Sequence, residues 1–546
     1  MKMTMKTTYK FMAIALLGAS LTACNGWLDD IDNSSNLDET VVWDTEAHVD
    51  MQVNQFYTFI NSWGFFAGGE FGGNLTEALC DVFKYNHSAL GVRCAQAYQY
   101  ATQYNYMGPN QNSLSGWSTV YTQVRYINQF MASMKKFSTF SDEQNLIWEA
   151  QARFFRAYAY FHLAKRYDGG IIYDFLPDGP DKAMSTAEEL WDFIEADLDF
   201  AFENLPSQWD SANSGRIDAI MAQAFKSRAM LYAERWQSAY DAADAVIKSN
   251  RYDLMPAYAN AWKGTNKESI IQFKFNALDG PYNDFDTYYA PVLANNRFST
   301  GSCGVPTQEM VETFEAKDGS EIDWTPWHDG TATTTPPYDQ LEPRFAATVV
   351  YPGSTWQGAV MDNSVDGVNG VFQAYGDGAY LWNKTCTGYF LRKLVDESHT
   401  DLTNTRGGQT MVVLRYAEVL LNKAEAAYRL HKSPEEYQDP MNKVRARVGL
   451  PVKMSVNERW FDDYRRERKV ELSYENHLYW DMRRWKLAHV EYNNYRCHGF
   501  RIENGEYEYV EVDLDDRVFN PKTYVFPIPY SEVVNNSLVN QYEQWQ

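Results

Sequence analysis

The chain has 546 residues, which at about 150 residues per domain suggests three or four domain-sized units and easily buries a core. Lys+Arg number 49 against 72 Asp+Glu, and the resulting net charge of −23 excludes a nucleic-acid binder, which needs a basic face, and docking on anionic lipid. An apolar share of 45% excludes wholesale disorder, while 38 Tyr and 17 Trp, rings with an apolar face and a polar tip, suit binding surfaces.

At the N-terminus, Lys2, Lys6 and Lys10 precede the apolar run Phe11–Leu17, which is too short to span a bilayer. Leu21-Thr22-Ala23-Cys24 follows and looks like a bacterial lipobox, in which Cys24 is lipidated and becomes the new N-terminus. Loss of residues 1–23 removes three lysines and takes the charge from −23 to −26. No later stretch approaches the roughly 18 apolar residues of a membrane span, so the mature chain is expected to be anchored or soluble. Cys80, Cys94, Cys303, Cys386 and Cys497 remain, an odd number that cannot all pair within one molecule. They read as buried thiols, with Cys80–Cys94 as a disulfide candidate, and none has zinc-ligand spacing.

After a polar tether over 25–44, Val49, Val53, Phe56 and Ile60 predict a helix over 45–60, and Val120, Val124, Ile127 and Met131 one over 117–137. A helix over 141–167 opens on the capping pattern Ser141…Gln144 and stops at Asp168-Gly169-Gly170; another over 186–204 opens on Thr186…Glu189. Ala222, Phe225, Ala229 and Tyr232 form one stripe, and after Trp236 a second consists of Ala239, Ala243, Val246 and Ile247. Two helices meeting across so short a turn resemble a tetratricopeptide (TPR) hairpin, a unit of about 34 residues that stacks on its neighbours. Another is expected over 412–430 and 434–448, making four such hairpins in all.

Between 251 and 410 the stripes vanish, Gly and Pro become frequent, and Trp262, Trp324, Trp327, Trp356 and Trp382 appear. So long a stretch is expected to be a loop-rich subdomain with short strands such as Ser269–Phe273 and Thr348–Tyr351. A charged helix is predicted over 459–486, followed by irregular structure. The fold class is therefore mostly α: a scaffold of TPR-like hairpins with a large mixed insertion and an irregular C-terminal region.

No HExxH, GxSxG, Walker A or GxGxxG motif is present, and the nine histidines are scattered. Many carboxylates leave a glycosidase pair open, because such a pair is defined by separation in space.

The C-terminal third carries the specific signal. Arg466-Glu467-Arg468-Lys469-Val470-Glu471-Leu472-Ser473-Tyr474-Glu475, continuing to Trp485, resembles the signature helix of the SusD/RagB family. Asn442–Pro451 (NKVRARVGLP), Phe526–Val533 (FPIPYSEV) and Glu342-Pro343-Arg344-Phe345 resemble further segments of that family, with Asn476 standing where Gly is usual and Leu478 where Arg is usual. Glu467 and Glu471, one turn apart, suggest ion pairs that hold this helix against the scaffold. The resemblance implies a lipid-anchored, glycan-binding protein of the outer-membrane surface, without enzymatic activity or cofactor. Its implied partner is a SusC-like, TonB-dependent barrel transporter, on which it sits as a lid. Asp29, Asp30 and Asp32 resemble the surface-export signal of lipoproteins in Bacteroides-like bacteria. Along the chain it implies a signal peptide over 1–23, a lipidated tether over 24–44 and an N-terminal region over 45–250. The inserted subdomain over 251–410 and the C-terminal region over 411–546 complete it.

A sugar's C–H face is covered by an aromatic face, so binding rings are sought outside helical stripes. Trp63 and Phe65, in a glycine-flanked loop, are candidates; Trp324 and Trp327, splayed from an extended Trp324-Thr325-Pro326-Trp327, and Tyr282 are the others. Trp117, Trp148, Trp191, Trp236, Trp480 and Trp485 lie in helices and are expected in the core. A TPR-type peptide-binding scaffold and a surface glycosidase are the alternative readings.

Overall fold

The computed structural model describes residues 40–66, 69–71, 73–86, 91–177, 179, 181–293, 301–377 and 383–546, with residues 91–96 as backbone only. The lipobox with Cys24, the Cys94 side chain and Trp382 lie outside the described residues. The N-terminal helical stretch runs from Glu46 to Phe56 (α1) and is interrupted at Tyr57 before a further turn, Thr58–Ser62. Trp117–Phe137 (α2) buries Trp117, Val120, Val124, Ile127 and Met134 at helical spacing. Asp142–Ala164 (α3) begins where the Ser141 hydroxyl accepts the Gln144 N–H at 3.2 Å. This helix is buried almost all round, because it packs on α2 at one side and on Ala187–Asn204 (α4) at the other. Ala150, Ala152, Ala157 and Ala159 let these backbones come close. α4 is held at its start by a complete capping box between Thr186 and Glu189.

Ala219–Tyr232 (α5) and Trp236–Lys248 (α6) form the expected hairpin, and so do Tyr416–Arg429 (α7) and Pro434–Ala446 (α8). Helices α2 to α6 pack each on the next, and α7 closes onto α5 and α6. The fully buried Glu418 of α7 takes both Arg228 Nε (2.6 Å) and Nη2 (2.5 Å) from α5. A mostly helical scaffold of TPR-like hairpins is thus the fold. Among the described residues no helix is long and apolar enough to cross a membrane.

Strands are short and lie beside this scaffold. Phe83–Tyr85 (β1) pairs with Gly304–Pro306 (β3), Val349–Val350 (β4) with Phe390–Leu391 (β5), and Ser269–Phe273 (β2) with Met411–Arg415 (β6), all antiparallel. The expected helix over 412–430 therefore starts late, because the β-branched Val412 pairs with Gln272 of β2 and Leu414 with Ile271, and the helix begins only at Tyr416. The charged helix over 459–486 is two helices, Asn457–Glu471 (α9) and Leu478–Arg484 (α10), broken where Tyr474 and Asn476 take φ of 63° and 59°. The C-terminal region is not irregular throughout: His498–Glu503 (β7) and Glu506–Glu511 (β8) form a hairpin across Asn504-Gly505, both at positive φ. Cys80 is a free, buried thiol rather than half of a disulfide, and burial pushes its pKa well up. Of the helical tryptophans, Trp117, Trp148 and Trp480 are buried, whereas Trp191, Trp236 and Trp485 are half-buried at the rim of the core.

An ionic network seats the signature segment. Arg415 reaches Glu268 (2.7 Å), Glu471 (2.5 Å) and Glu475 (2.8 Å), while Arg447 holds Glu471 (2.5 Å) and Glu268 (3.2 Å). Arg344 lies between Glu342 (2.6 Å) and Glu467, Arg445 joins Glu467 (3.0 Å) to Glu315 (2.7 Å), and Lys393 pairs with Glu475 (2.7 Å). All these groups are almost completely buried. The expected ion pairs of the signature helix are present, and they bind it to residues of the 251–410 stretch. Asn86 makes a second tie: its Nδ2 donates to the carbonyls of Ser302 (2.6 Å) and Lys384 (2.8 Å), and its Oδ1 accepts the Cys386 N–H (2.8 Å).

Candidate functional site

Of the five rings expected on the surface, three are core residues. Trp63 is 6% exposed; its ring stacks on His162 at 4.2 Å, and its N–H donates to Gln123 Oε1 at 2.9 Å. The neighbouring glycine does not mark a free loop. A Cβ on Gly64 would lie 2.2 Å from Met411 Cε, so the glycine admits β6 against this turn. Phe65 is buried beside the same methionine, with its N–H on Met411 Sδ at 3.3 Å. Trp324 is 5% exposed. The segment around it is a short helix, Thr325–His328, not an extended chain, because Pro326 sits where a first turn accepts it. Trp324 and Trp327 are 5.8 Å apart, and Trp327 is half-buried with its N–H on the Thr334 carbonyl at 2.8 Å. Trp63, packed against α2 and α3, shares no platform with them.

Tyr282 is the exposed member, 47% accessible, on a turn whose tip is Leu278. The turn is built to be stiff. Asn276 accepts the Leu278 N–H on its side chain (3.0 Å), and its own N–H bonds the Pro281 carbonyl (2.7 Å). Asn283, fully buried, exchanges both backbone hydrogen bonds with Gly407 (2.9 and 3.0 Å). Gly407 has to be glycine there, since a Cβ would meet Asn283 Oδ1 at 2.6 Å. The same bridge brings Arg406 to Tyr282: its guanidinium lies 5.0 Å from the ring centroid and pairs with Asp284 at 3.0 Å. The result is a half-exposed ring edged by a cation and a carboxylate, which together offer an apolar face and hydrogen bonds of both polarities. Arg406 and Asp284 were not legible beforehand, because they are 122 positions apart and only the fold joins them.

Beneath this surface His399 bridges Asp286 (Nδ1 to Oδ2, 2.9 Å) and Thr405 Oγ1 (Nε2, 2.8 Å). The layout is that of an acid, an imidazole and a hydroxyl, but it does not arm the hydroxyl. Thr405 donates its own proton to the Asp401 carbonyl (2.5 Å), so its oxygen faces the ring as an acceptor. The hydrogen bond to Asp286 raises the His399 pKa. Asp286 also accepts from Gln409 Nε2 and the Asp396 N–H, both at 2.9 Å, so the cluster braces the turn that carries Tyr282.

Stacked helical hairpins beside a loop-rich excursion with an aromatic, hydrogen-bonding edge define the class of protein. The sequence model of the SusD family matches residues 267–545, about half of the chain, and the chain belongs to that family. A second model, described as starch-binding and associating with the outer membrane, matches residues 26–231. A SusD-like protein of Bacteroides ovatus is 24% identical over 486 residues, covering 79% of this chain and 81% of that one. Among solved structures, a SusD-like protein of Bacteroides fragilis superposes with a TM-score of 0.76 at 26% identity, over 94% of this chain and 99% of that one. A SusD-like carbohydrate-binding protein of the same species also gives 0.76, at 20% identity over 92% and 100% of the two chains, a likeness of fold.

Proposed function

We propose that this protein is a cell-surface lipoprotein that captures an oligo- or polysaccharide and delivers it to a SusC-like, TonB-dependent outer-membrane transporter, for which it acts as a lid, and that it catalyses nothing. Membership of the SusD family carries the reading. The starch-binding description of the N-terminal match and the carbohydrate-binding relative of the same fold support the ligand class. On this chain the sugar stacks on Tyr282, with Arg406 and Asp284 on its hydroxyls, and Trp327 is a secondary contact. Trp63, Phe65 and Trp324 stiffen the frame.

Titration against a polysaccharide panel, with a reducing-end assay in parallel, tests this. Binding without new reducing ends is expected. Tyr282→Ala should weaken it by about 1–3 kcal/mol, the range for stacking on an aromatic side chain, with an unchanged thermal midpoint because the ring is half-exposed. New reducing ends would make the protein a glycosidase instead.

Membrane attachment has its own test. Cys24→Ala should move the protein to the soluble fraction, and a β-barrel protein that co-purifies with the wild type in mild detergent should be lost from the pull-down. Unchanged fractionation would refute the lipid anchor.

A further inference from the structure

A cleft of about 560 Å³ opens between Ser62, Trp63, Gly69 and Glu70, the loop 108–119 leading into α2, and residues 527–531. None of its walls comes from the 251–410 stretch. Its size falls within the range of about 300–1,000 Å³ usual for small-ligand sites. Its chemistry departs from the rest of the chain. Charged residues make up 22% of the sequence, which would place about four among the nineteen lining residues, yet Glu70 is the one present among them. Even that charge is committed: Glu70 is buried and pairs with Lys165 and with Arg166 (2.5 Å), and it accepts the Trp480 N–H at 3.2 Å. The cleft therefore presents no net charge to a ligand.

In place of charge it offers amides, hydroxyls and one exposed ring, with the buried Trp63 and Trp117 behind them. Asn110 and Gln111 are exposed, and their amides make no hydrogen bond among the described residues. Asn112 spends its oxygen on the Leu114 N–H (3.0 Å), while its Nδ2 is buried with no acceptor. An amide nitrogen left in this state is costly unless a ligand or a water accepts from it. The Ser118 and Thr119 hydroxyls line the opposite wall. Tyr530 lines the cleft, 59% exposed, and its N–H bonds the Pro109 carbonyl at 3.1 Å, which ties its backbone to the loop.

We infer that this cleft is a second glycan subsite, selective for neutral sugar residues. A sugar's C–H face would lie on Tyr530, and its hydroxyls would take up the amides of Asn110, Gln111 and Asn112. An anionic ligand is disfavoured, because no cation in the lining is available to meet it. The inference rests on the glycan-binding reading above but uses different residues. A polymer that touches both sites gains through effective concentration.

Affinity electrophoresis in gels containing laminarin, amylopectin, xyloglucan or polygalacturonate tests it, followed by titration with whichever polysaccharide retards the wild type. A neutral polymer should retard it. Tyr530→Ala, and independently Thr119→Trp, which fills the cleft from an exposed position, should each raise Kd about five- to a hundredfold. Thermal midpoints should match the wild type. If both variants bind like the wild type while Tyr282→Ala is weakened, the second subsite is refuted and the function stands. If polygalacturonate alone is bound through Tyr530, the neutral selectivity is wrong. If nothing in the panel retards the wild type, both readings fall.

Discussion

Replacing Glu471 by glutamine is expected to lower the unfolding free energy by about 3–5 kcal/mol, the usual effect of leaving buried charges without their partner. Glu471 meets Arg415 and Arg447 at 2.5 Å each and Arg344 at 3.2 Å, with no exposed surface. Glutamine keeps the shape and removes the charge, so three guanidinium groups lose their common counter-ion inside the protein. Burial alone would raise the Glu471 pKa, but Arg447, Arg415 and Arg344 outweigh it and hold the carboxyl well below the usual range. A depressed folded pKa stabilises the protein above the unfolded value of about 4.3, and the contribution fades as pH falls towards the folded one. The wild type should therefore lose stability below about pH 4, where E471Q loses less. Urea unfolding is the measurement, read as a lower midpoint at constant m. Arg459→Ala, on the solvent side of the same helix, should stay within about 0.5 kcal/mol. If E471Q shifts the midpoint no more than this control, the network does not hold the segment.

Glu77→Gln should act in the opposite direction. Glu77 lies in a short turn, Thr76–Leu79, against which α10 packs, and is fully buried. Backbone hydrogen bonds at Asn476 and His477 relieve the carboxyl only in part, no cation pairs with it among the described residues, and Leu478 of the facing helix brings no charge. Burial pushes this carboxyl up to about 7. Below the unfolded pKa of about 4.3 both states are protonated and the group costs nothing. As pH rises towards 7 the unfolded chain ionises first, and the native state forfeits about 1.4 kcal/mol per unit. Glu77→Gln should thus stabilise the protein by roughly 2–4 kcal/mol at pH 8 and by almost nothing at pH 4. A gain that is equal at both pH values would point to packing rather than ionisation.

Much of the scaffold could be read from side-chain spacing. Trp117–Phe137 and Ala187–Asn204 run where their stripes and caps place them, because those signals are local. Where sequence and structure differ, a tertiary partner is the commoner cause. Val412-Val413 looks helical within its own window and becomes strand because β2 lies beside it, so a tertiary partner overrides the local period. Asn504-Gly505, by contrast, is a local hairpin signal flanked by alternating residues, and it outweighs the irregular character of the rest of the C-terminal region. The glycines beside Trp63 suggest an exposed loop, but glycine serves close approach as readily as exposure, and Met411, which fills the gap, is far away in sequence. For the cleft that Tyr530 lines a signal existed in the run Asn110-Gln111-Asn112-Ser113, four polar residues with no helical period. Its second wall, contributed by residues 527–531, could only come from the fold.

The pairing of β2 with β6 sets Ser269 opposite Arg415 and Phe273 opposite Met411. The chain leaves the helices and rejoins them through a single doorway two strands wide, and α6 and α7, on either side of the departure, pack directly together. Between its ties to the scaffold the excursion can grow or shrink without moving a helix, and doubling a loop's length adds only about 0.6 kcal/mol of closure entropy. The segment is thus suited to exchange between relatives as a cassette. A graft must carry over its anchors: Glu315, Arg344 and Lys393, whose charges meet Arg445, Glu467 and Glu475 of the recipient, Glu342, which holds Arg344, and the backbone of β3, Ser302, Lys384 and Cys386, which meets β1 and Asn86. Everything between those anchors is open to change, so a lineage can acquire a new ligand by rewriting loops while inheriting the frame intact.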